Sequence, residues 1–152
     1  MRSAYVVPLF LAAAAVPLGA QTKEKPATRS EIAKVEEAVL RKVVATRCQE
    51  TLCLLAVKGK ALDGPRLAKL TKLGRVAAPA ASDLELDGSG MSGAARSRGA
   101  QVIDLLKVTV EDNKAVVQVH IYSTTVDATV CRYQLHRVES GWLVDGSVEC
   151  TA

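Results

Sequence analysis

The stretch QVIDLLKVTVEDNKAVVQVHIYS, residues 101 to 123, alternates apolar and polar side chains on both sides of Asp112 and Asn113. Such alternation marks strands with one buried face, and an acid–amide pair between them marks a tight turn. If Asp112 and Asn113 form a two-residue loop, Val110 faces Ala115, Val108 faces Val117 and Leu106 faces Val119. Every pair on that face is apolar, the self-consistency that a correct register requires. Carried upstream, the same alternation sets Asp104 on the inner face with Leu106, Val108 and Val110.

Downstream, TTVDA reads as a turn, followed by a third strand from about Thr129 to Val138 and a fourth from Trp142 to Cys150. With Ser140 and Gly141 in a two-residue loop, Glu139 faces Trp142, Tyr133 faces Val148 and Cys131 faces Cys150. Cys131, Tyr133, Leu135, Trp142, Val144, Val148 and Cys150 then share the core face, because side chains alternate along a strand. Arg132, Gln134, His136, Asp145, Ser147 and Glu149 share the solvated face. In this register His120 lies beside Arg132 and His136 beside Val116, and neither histidine has a carboxylate or thiolate partner. His120, Arg132, Gln134 and His136 are therefore candidates for binding rather than for a catalytic dyad.

Upstream, Thr28 and Glu31 match a capping box, and Ile32, Val35, Val39, Leu40 and Val43 recur at helical spacing. Together they predict an amphipathic helix from Arg29 to about Arg47. LCLLAV, residues 52 to 57, is a continuous apolar run of the kind found in a strand buried on both faces. Asp63 is placed to cap a second, short helix through Leu67, Leu70 and Leu73. From Gly74 to Gly99 the text is irregular, and DLELDGSGMSGAARSRG, 83 to 99, has four glycines and no sustained period. The fold class is α+β: an N-terminal amphipathic helix packed on a mainly antiparallel sheet that ends in a four-strand meander.

MRSAYVVPLFLAAAAVPLGA, residues 1 to 20, has one basic residue, an apolar stretch and a small-residue exit, the layout of a secretory signal peptide. Residues 21–27 read as a polar tether and 28–152 as a single α+β domain. The expected location is secreted or periplasmic, with no stable membrane span after the signal is removed. Arg2 is the only charge in the first 20 residues, so 19 basic and 16 acidic residues remain. That excess is small and spread along the chain, and no basic run is interleaved with aromatics, so nucleic acid is not an expected partner. Four cysteines in an exported chain suggest two disulfides. Of the three connectivities, the register favours Cys131 with Cys150, and Cys48 with Cys53 to staple the end of the first helix to the buried strand.

Chemistry-bearing motifs are few. DLELDG alternates Asp83, Glu85 and Asp87 before Gly88 like a calcium loop, but the twelfth position, where a bidentate glutamate belongs, is Ala94. A solvated acidic loop is the expectation there, and no metal and no cofactor are expected. No nucleophile elbow, P-loop, dinucleotide fingerprint or H-E-x-x-H occurs. Tyr133, Leu135, Arg137, Gly141, Trp142 and Val144 form a Tyr-x-Leu-x-Arg, Gly-Trp-x-Val hairpin. With the first helix, this pattern resembles small domains of the nuclear-transport-factor-two-like superfamily of cystatin-like α+β rolls. The resemblance covers the first helix and the last four strands. It implies a rolled sheet around a cone, in which an inward acid, here Asp104, can act as a general base with its pKa raised by burial. The superfamily includes isomerases, dehydratases, ligand binders and scaffolding domains, so fold does not dictate function. The leading expectation is an exported, non-enzymatic binding or accessory module acting through its solvated sheet face or the 83–99 loop. The alternative is a small-ligand-binding roll, or an enzyme with Asp104 in an internal cavity. The partner, a protein or a small molecule, is not written in the sequence.

Overall fold

The computed structural model describes residues 25–85, 93–123 and 128–152. The expected signal segment, most of the tether, part of the acidic loop including Asp87 and Gly88, and most of the TTVDA turn lie outside the described residues. Helix α1 runs Arg29–Arg47. Its capping box closes both ways: the Thr28 amide donates to Glu31 Oε2 at 3.3 Å and the Glu31 amide donates to Thr28 Oγ1 at 3.2 Å. Val35, Val39, Leu40, Val43 and Val44 are fully buried, while Ile32 is only half-buried. Strand β1, Cys53–Val57, turns through Lys58 and Gly59 into β2, Lys60–Ala61. Helix α2, Gly64–Leu70, starts on Asp63, whose Oδ1 accepts the Arg66 amide at 2.9 Å. It ends before Leu73, which reaches the core from the turn that follows.

The segment read as irregular is partly built. It holds β3 (Val76–Ala77), a 3-10 turn at Ala81–Asp83 and α3 (Gly93–Ser97). Four long strands follow: β4 Gln101–Glu111, β5 Lys114–Tyr122, β6 Thr129–Val138 and β7 Gly141–Thr151. They form the expected antiparallel meander within a seven-stranded sheet of order β2-β1-β4-β5-β6-β7, with β3 also on β1. Within this mainly antiparallel sheet, β1 is parallel to both β4 and β3. The long excursion between β1 and β4 makes this possible, since parallel neighbours need a crossover rather than a hairpin. α1 covers one face, the inner face. Its stripe meets Leu55, Ile103, Leu105, Val117, Val119, Tyr133 and Leu135 in the main core. A smaller cluster on the outer face packs Leu54, Val102 and Tyr122 against Ala95 of α3 and Leu84.

Three register expectations are corrected. Between β4 and β5, Val110 faces Ala115 and Val108 faces Val117 as read, but the pairing slips between Leu105 and Lys107, so Leu105, not Leu106, faces Val119. Leu106 is a bulge residue, and one extra residue reverses the side-chain alternation beyond it. Ile103 and Leu105 thereby enter the main core, and Asp104 leaves the inner face for the outer one. In the last hairpin the turn falls at Glu139 and Ser140, with Val138 opposite Gly141 and Arg137 opposite Trp142. Gly141, at φ 137°, takes a conformation that side chains disfavour. A second slip, with Asp145, Gly146 and Ser147 against Gln134 alone, restores Tyr133 to Val148 and Cys131 to Cys150. The β5–β6 register also moves by two residues, placing His120 opposite Val130, Arg132 opposite Gln118, and His136 opposite Lys114.

The disulfides join Cys48 to Cys53 and Cys131 to Cys150. The core side of the last hairpin is less enclosed than expected: Cys131 is fully buried and Trp142, Val144 and Val148 half-buried, while Cys150 on the edge strand is exposed. Closing a loop of 19 residues against one of 5 predicts about 3 kcal/mol for the second bond and about 2 kcal/mol for the first in the chain-entropy picture. Replacing Cys131 and Cys150 by Ser should therefore lower Tm by roughly 10 °C with strand content retained. A smaller loss than from replacing Cys48 and Cys53 would contradict this order.

Gly74 lies against the end of α1. A Cβ there would stand 2.8 Å from the Cys48 carbonyl oxygen, 2.9 Å from Val44 Cγ1 and 3.1 Å from the Val44 carbonyl. Two of these neighbours are backbone, so Gly74→Ala should cost about 1 to 3 kcal/mol through displacement of the helix end. Chemical denaturation reads this directly, and unchanged stability would mean that the end of α1 yields freely.

Candidate functional site

The outer face of β4, β5 and β6 carries rows of side chains fixed by the pairing. One row is Lys107, Gln118, Arg132 and Glu149; the next is Thr109, Val116 and Gln134; a third is Glu111, Lys114 and His136. Lys107, Thr109, Glu111, Val116, Gln118 and Arg132 line an open groove of about 560 Å³. That volume lies within the range of small-molecule sites, though the lining is more polar than most. Among the described residues, no hydrogen bond or ion pair engages the side chains of Lys107, Gln118 or Arg132. Arg132 stands opposite Glu149 and Glu111 opposite Lys114 without forming ion pairs.

Several charges elsewhere are engaged. Glu36, buried on α1, takes Arg66 Nη2 at 3.0 Å. Glu31 pairs with Arg137, whose guanidinium lies 5.0 Å from the centre of the Trp142 ring. The Arg137 hydrogen bond and the Thr28 amide hold the Glu31 carboxyl below its ordinary range. Asp83, expected on a solvated loop, is buried: its Oδ2 accepts from the Ala80 amide at 2.7 Å and from Arg98 Nη2 at 2.5 Å. Burial raises its pKa, but the Arg98 and Ala80 hydrogen bonds prevail and leave it lowered. Asp83 is thus the clamp between the 3-10 turn and the end of α3, its Oδ2 taken by both protein donors. Among the described residues no group of three or more histidine, cysteine, aspartate or glutamate side chains could hold a metal ion.

Of the sequence candidates, Arg132 lines the groove and Gln134 stands one row along, opposite Val116. His136, read as partnerless, binds Asp145 through Nδ1 at 2.6 Å. The partner comes from the second slip: β7 spends Asp145, Gly146 and Ser147 opposite a single residue of β6. Asp104 and His120, read on opposite faces of the sheet, are directly paired across β4 and β5. Asp104 is buried at 8% exposure and takes the Gly59 amide on both carboxylate oxygens at 3.1 Å. Lys58 and Gly59, at φ 51° and 71°, form a tight turn of the kind whose two central residues both take positive φ. The carboxylate of Asp104 thus clasps that turn to the sheet. His120 Nδ1 lies 3.1 Å from the Tyr122 hydroxyl, completing an acid–imidazole–phenol cluster at the edge of the outer core.

The sequence reading missed Lys107, Thr109, Glu111 and Gln118. Their alternation with Val108 and Val110 was the available signal, since it places them on one solvated face. It also missed the apolar hollow between α1 and the start of β7, where Leu143 is 54% exposed beside Trp142, Arg41 and Lys42. Comparisons with protein-family models, with curated proteins and with solved structures give no match.

Burial, and then the charge of Asp104, push the Tyr122 phenol above its ordinary pKa. The folded chain therefore holds this proton more tightly than the unfolded chain, whose phenols titrate near about 10. The stability so conferred is complete below that pH and is lost as pH rises through the folded value. Tyr122→Phe should flatten the alkaline decline of Tm. An identical decline in the variant would remove Tyr122 as its cause.

Proposed function

We propose that this chain is an exported, non-enzymatic binding module that works through the outer face of its sheet. The observation that carries this reading is the groove over β4, β5 and β6, where Lys107, Gln118 and Arg132 stand in register without partners. Unfilled donors held on a rigid sheet are what a ligand needs in order to bind without first displacing internal bonds. The enzymatic alternative drew on an acid inside a cone. Its premise is weakened by the bulge at Leu106, which turns Asp104 to the other face, where the Gly59 amide occupies it. The inner face is filled by the stripe of α1.

Export rests on the layout of residues 1–20, and two disulfides support it, since such bonds persist in oxidising compartments. Among the described residues no helix is long and apolar enough to cross a membrane. On the same reading, α1 and β4–β7 correspond to the helix and sheet of a nuclear-transport-factor-two-like roll, on the Tyr133-to-Val144 pattern quoted above. The natively produced protein should begin near Gln21; an intact mass that retains Met1 would end the export reading.

The binding reading is tested by titrating labelled protein with small-molecule and protein fractions from the medium or envelope of the producing cell. Backbone amide shifts should gather at Lys107–Glu111, Val116–His120 and Arg132–Gln134. Shifts gathered instead at the apolar hollow by Leu143, or in the 83–99 segment, would move the binding site elsewhere.

A further inference from the structure

Resting on the outer-face reading, we infer that the groove takes a small zwitterion of roughly tripeptide length, its carboxylate held above Gln118 and its ammonium at Glu111. The pairing puts Lys107 and Arg132 on either side of Gln118, one strand away each. Their backbones are then roughly 10 Å apart, a span that a lysine and an arginine side chain can close from both ends. The Gln118 amide supplies a donor from below. Two cations and an amide converging on one point form a carboxylate site, with the planar guanidinium of Arg132 suited to two parallel hydrogen bonds.

The far end of the groove has the opposite sign. Glu111 lies four residues beyond Lys107 on the same strand face, about 14 Å along β4, and it too lines the groove. Lys114 faces it in register without forming an ion pair, so its carboxylate is left for a ligand cation. Thr109 and Val116, directly opposed, floor the space between. An extended tripeptide measures about 10 Å, and side chains reaching inward from both ends cover the remainder. Glu111 and, beside Arg132, Glu149 work against a polyanion. The face is dipolar rather than basic, and this charge complementarity selects the occupant.

The probes are triglycine, N-acetyl-triglycine, triglycinamide and inorganic phosphate, titrated into the full chain and followed by amide and side-chain NMR at Gln118 and Arg132. Triglycine should bind tightest. Capping the carboxylate should abolish binding, capping the amine should weaken it, and phosphate should bind more weakly than triglycine. Lys107→Gln and Arg132→Gln should each weaken triglycine at least tenfold. Glu111→Gln should weaken triglycine but leave N-acetyl-triglycine unchanged, a coupling that a merely folded surface would not show. Lys69→Gln, exposed on α2 and away from this face, should change nothing. Equal binding of triglycinamide and triglycine, equal binding of phosphate and triglycine, or no shift with triglycine overturns the assignment. If triglycine fails while other molecules still shift these amides, the zwitterion is wrong and the outer-face reading stands. If no fraction shifts them, both fall.

Discussion

Between Leu105 and Lys107 the pairing of β4 with β5 slips by one residue, and Leu106 is left without a partner. The slip occurs where β1 gives out, for the last β1–β4 pair is Val57 with Leu105, and the next bond is the Lys58 amide to the Leu105 carbonyl at 2.8 Å. The first half of β4 is therefore an interior strand and the second half a sheet margin. An interior strand needs apolar side chains on both faces; a marginal one needs them on one. Burial follows that division: residues 101 to 105 are all buried, and from Leu106 onward half-buried and exposed positions alternate. Without the bulge, Asp104 would enter the main core unpaired and Leu105 would be turned away from it. An isolated buried carboxylate costs far more than one ladder position.

The same slip assigns the outer face its two halves. Above it, Leu54, Val102 and Tyr122 are covered by Ala95 and Leu84, held there by the Arg98–Asp83 clamp. Below it, nothing among the described residues lies over Lys107, Thr109, Glu111, Gln118 and Arg132 except the open groove. Cover and groove are consequences of one residue inserted in one strand.

Much of this was legible because it is local. The cap at Thr28, the stripe of α1 and the bounds of β4 and β6 depend on neighbours a few residues apart, and periodicity reports those. The slips were not, since Leu105 and Leu106 are both apolar and either can face Val119 without a visible fault. A doublet of leucines in an alternating run was the only trace. In the last hairpin two errors cancelled: the turn lies one residue from its expected place, which shifts the pairing by two, and the slip at Asp145 to Ser147 returns the cysteines to the expected pairing. A shift of two preserves the faces, which is why the inward set there was read correctly despite the wrong turn. Parallel pairing of β1 with β4, and the burial of Glu36 and Asp83, rest on contacts with distant segments that no local pattern encodes.

The charged groups divide along the same line. Glu36 with Arg66 ties α1 to α2, Glu31 with Arg137 ties the start of α1 to the closing hairpin, and Asp83 with Arg98 ties the turn after β3 to α3. Each joins segments far apart in sequence, where packing alone would leave a polar group without a partner. For Asp83 the arrangement carries a visible cost, since its Oδ1 is buried with no hydrogen bond while Oδ2 takes both donors. A buried pair of this kind fixes geometry more than it stabilises, because desolvation consumes most of the attraction. On the groove the logic reverses. Lys107, Glu111 and Arg132 remain hydrated and unpaired although Lys114 and Glu149 stand across from two of them. Exposed cross-strand pairs contribute little to a fold, so leaving them open costs the protein almost nothing in stability and keeps their hydrogen-bonding capacity for another molecule.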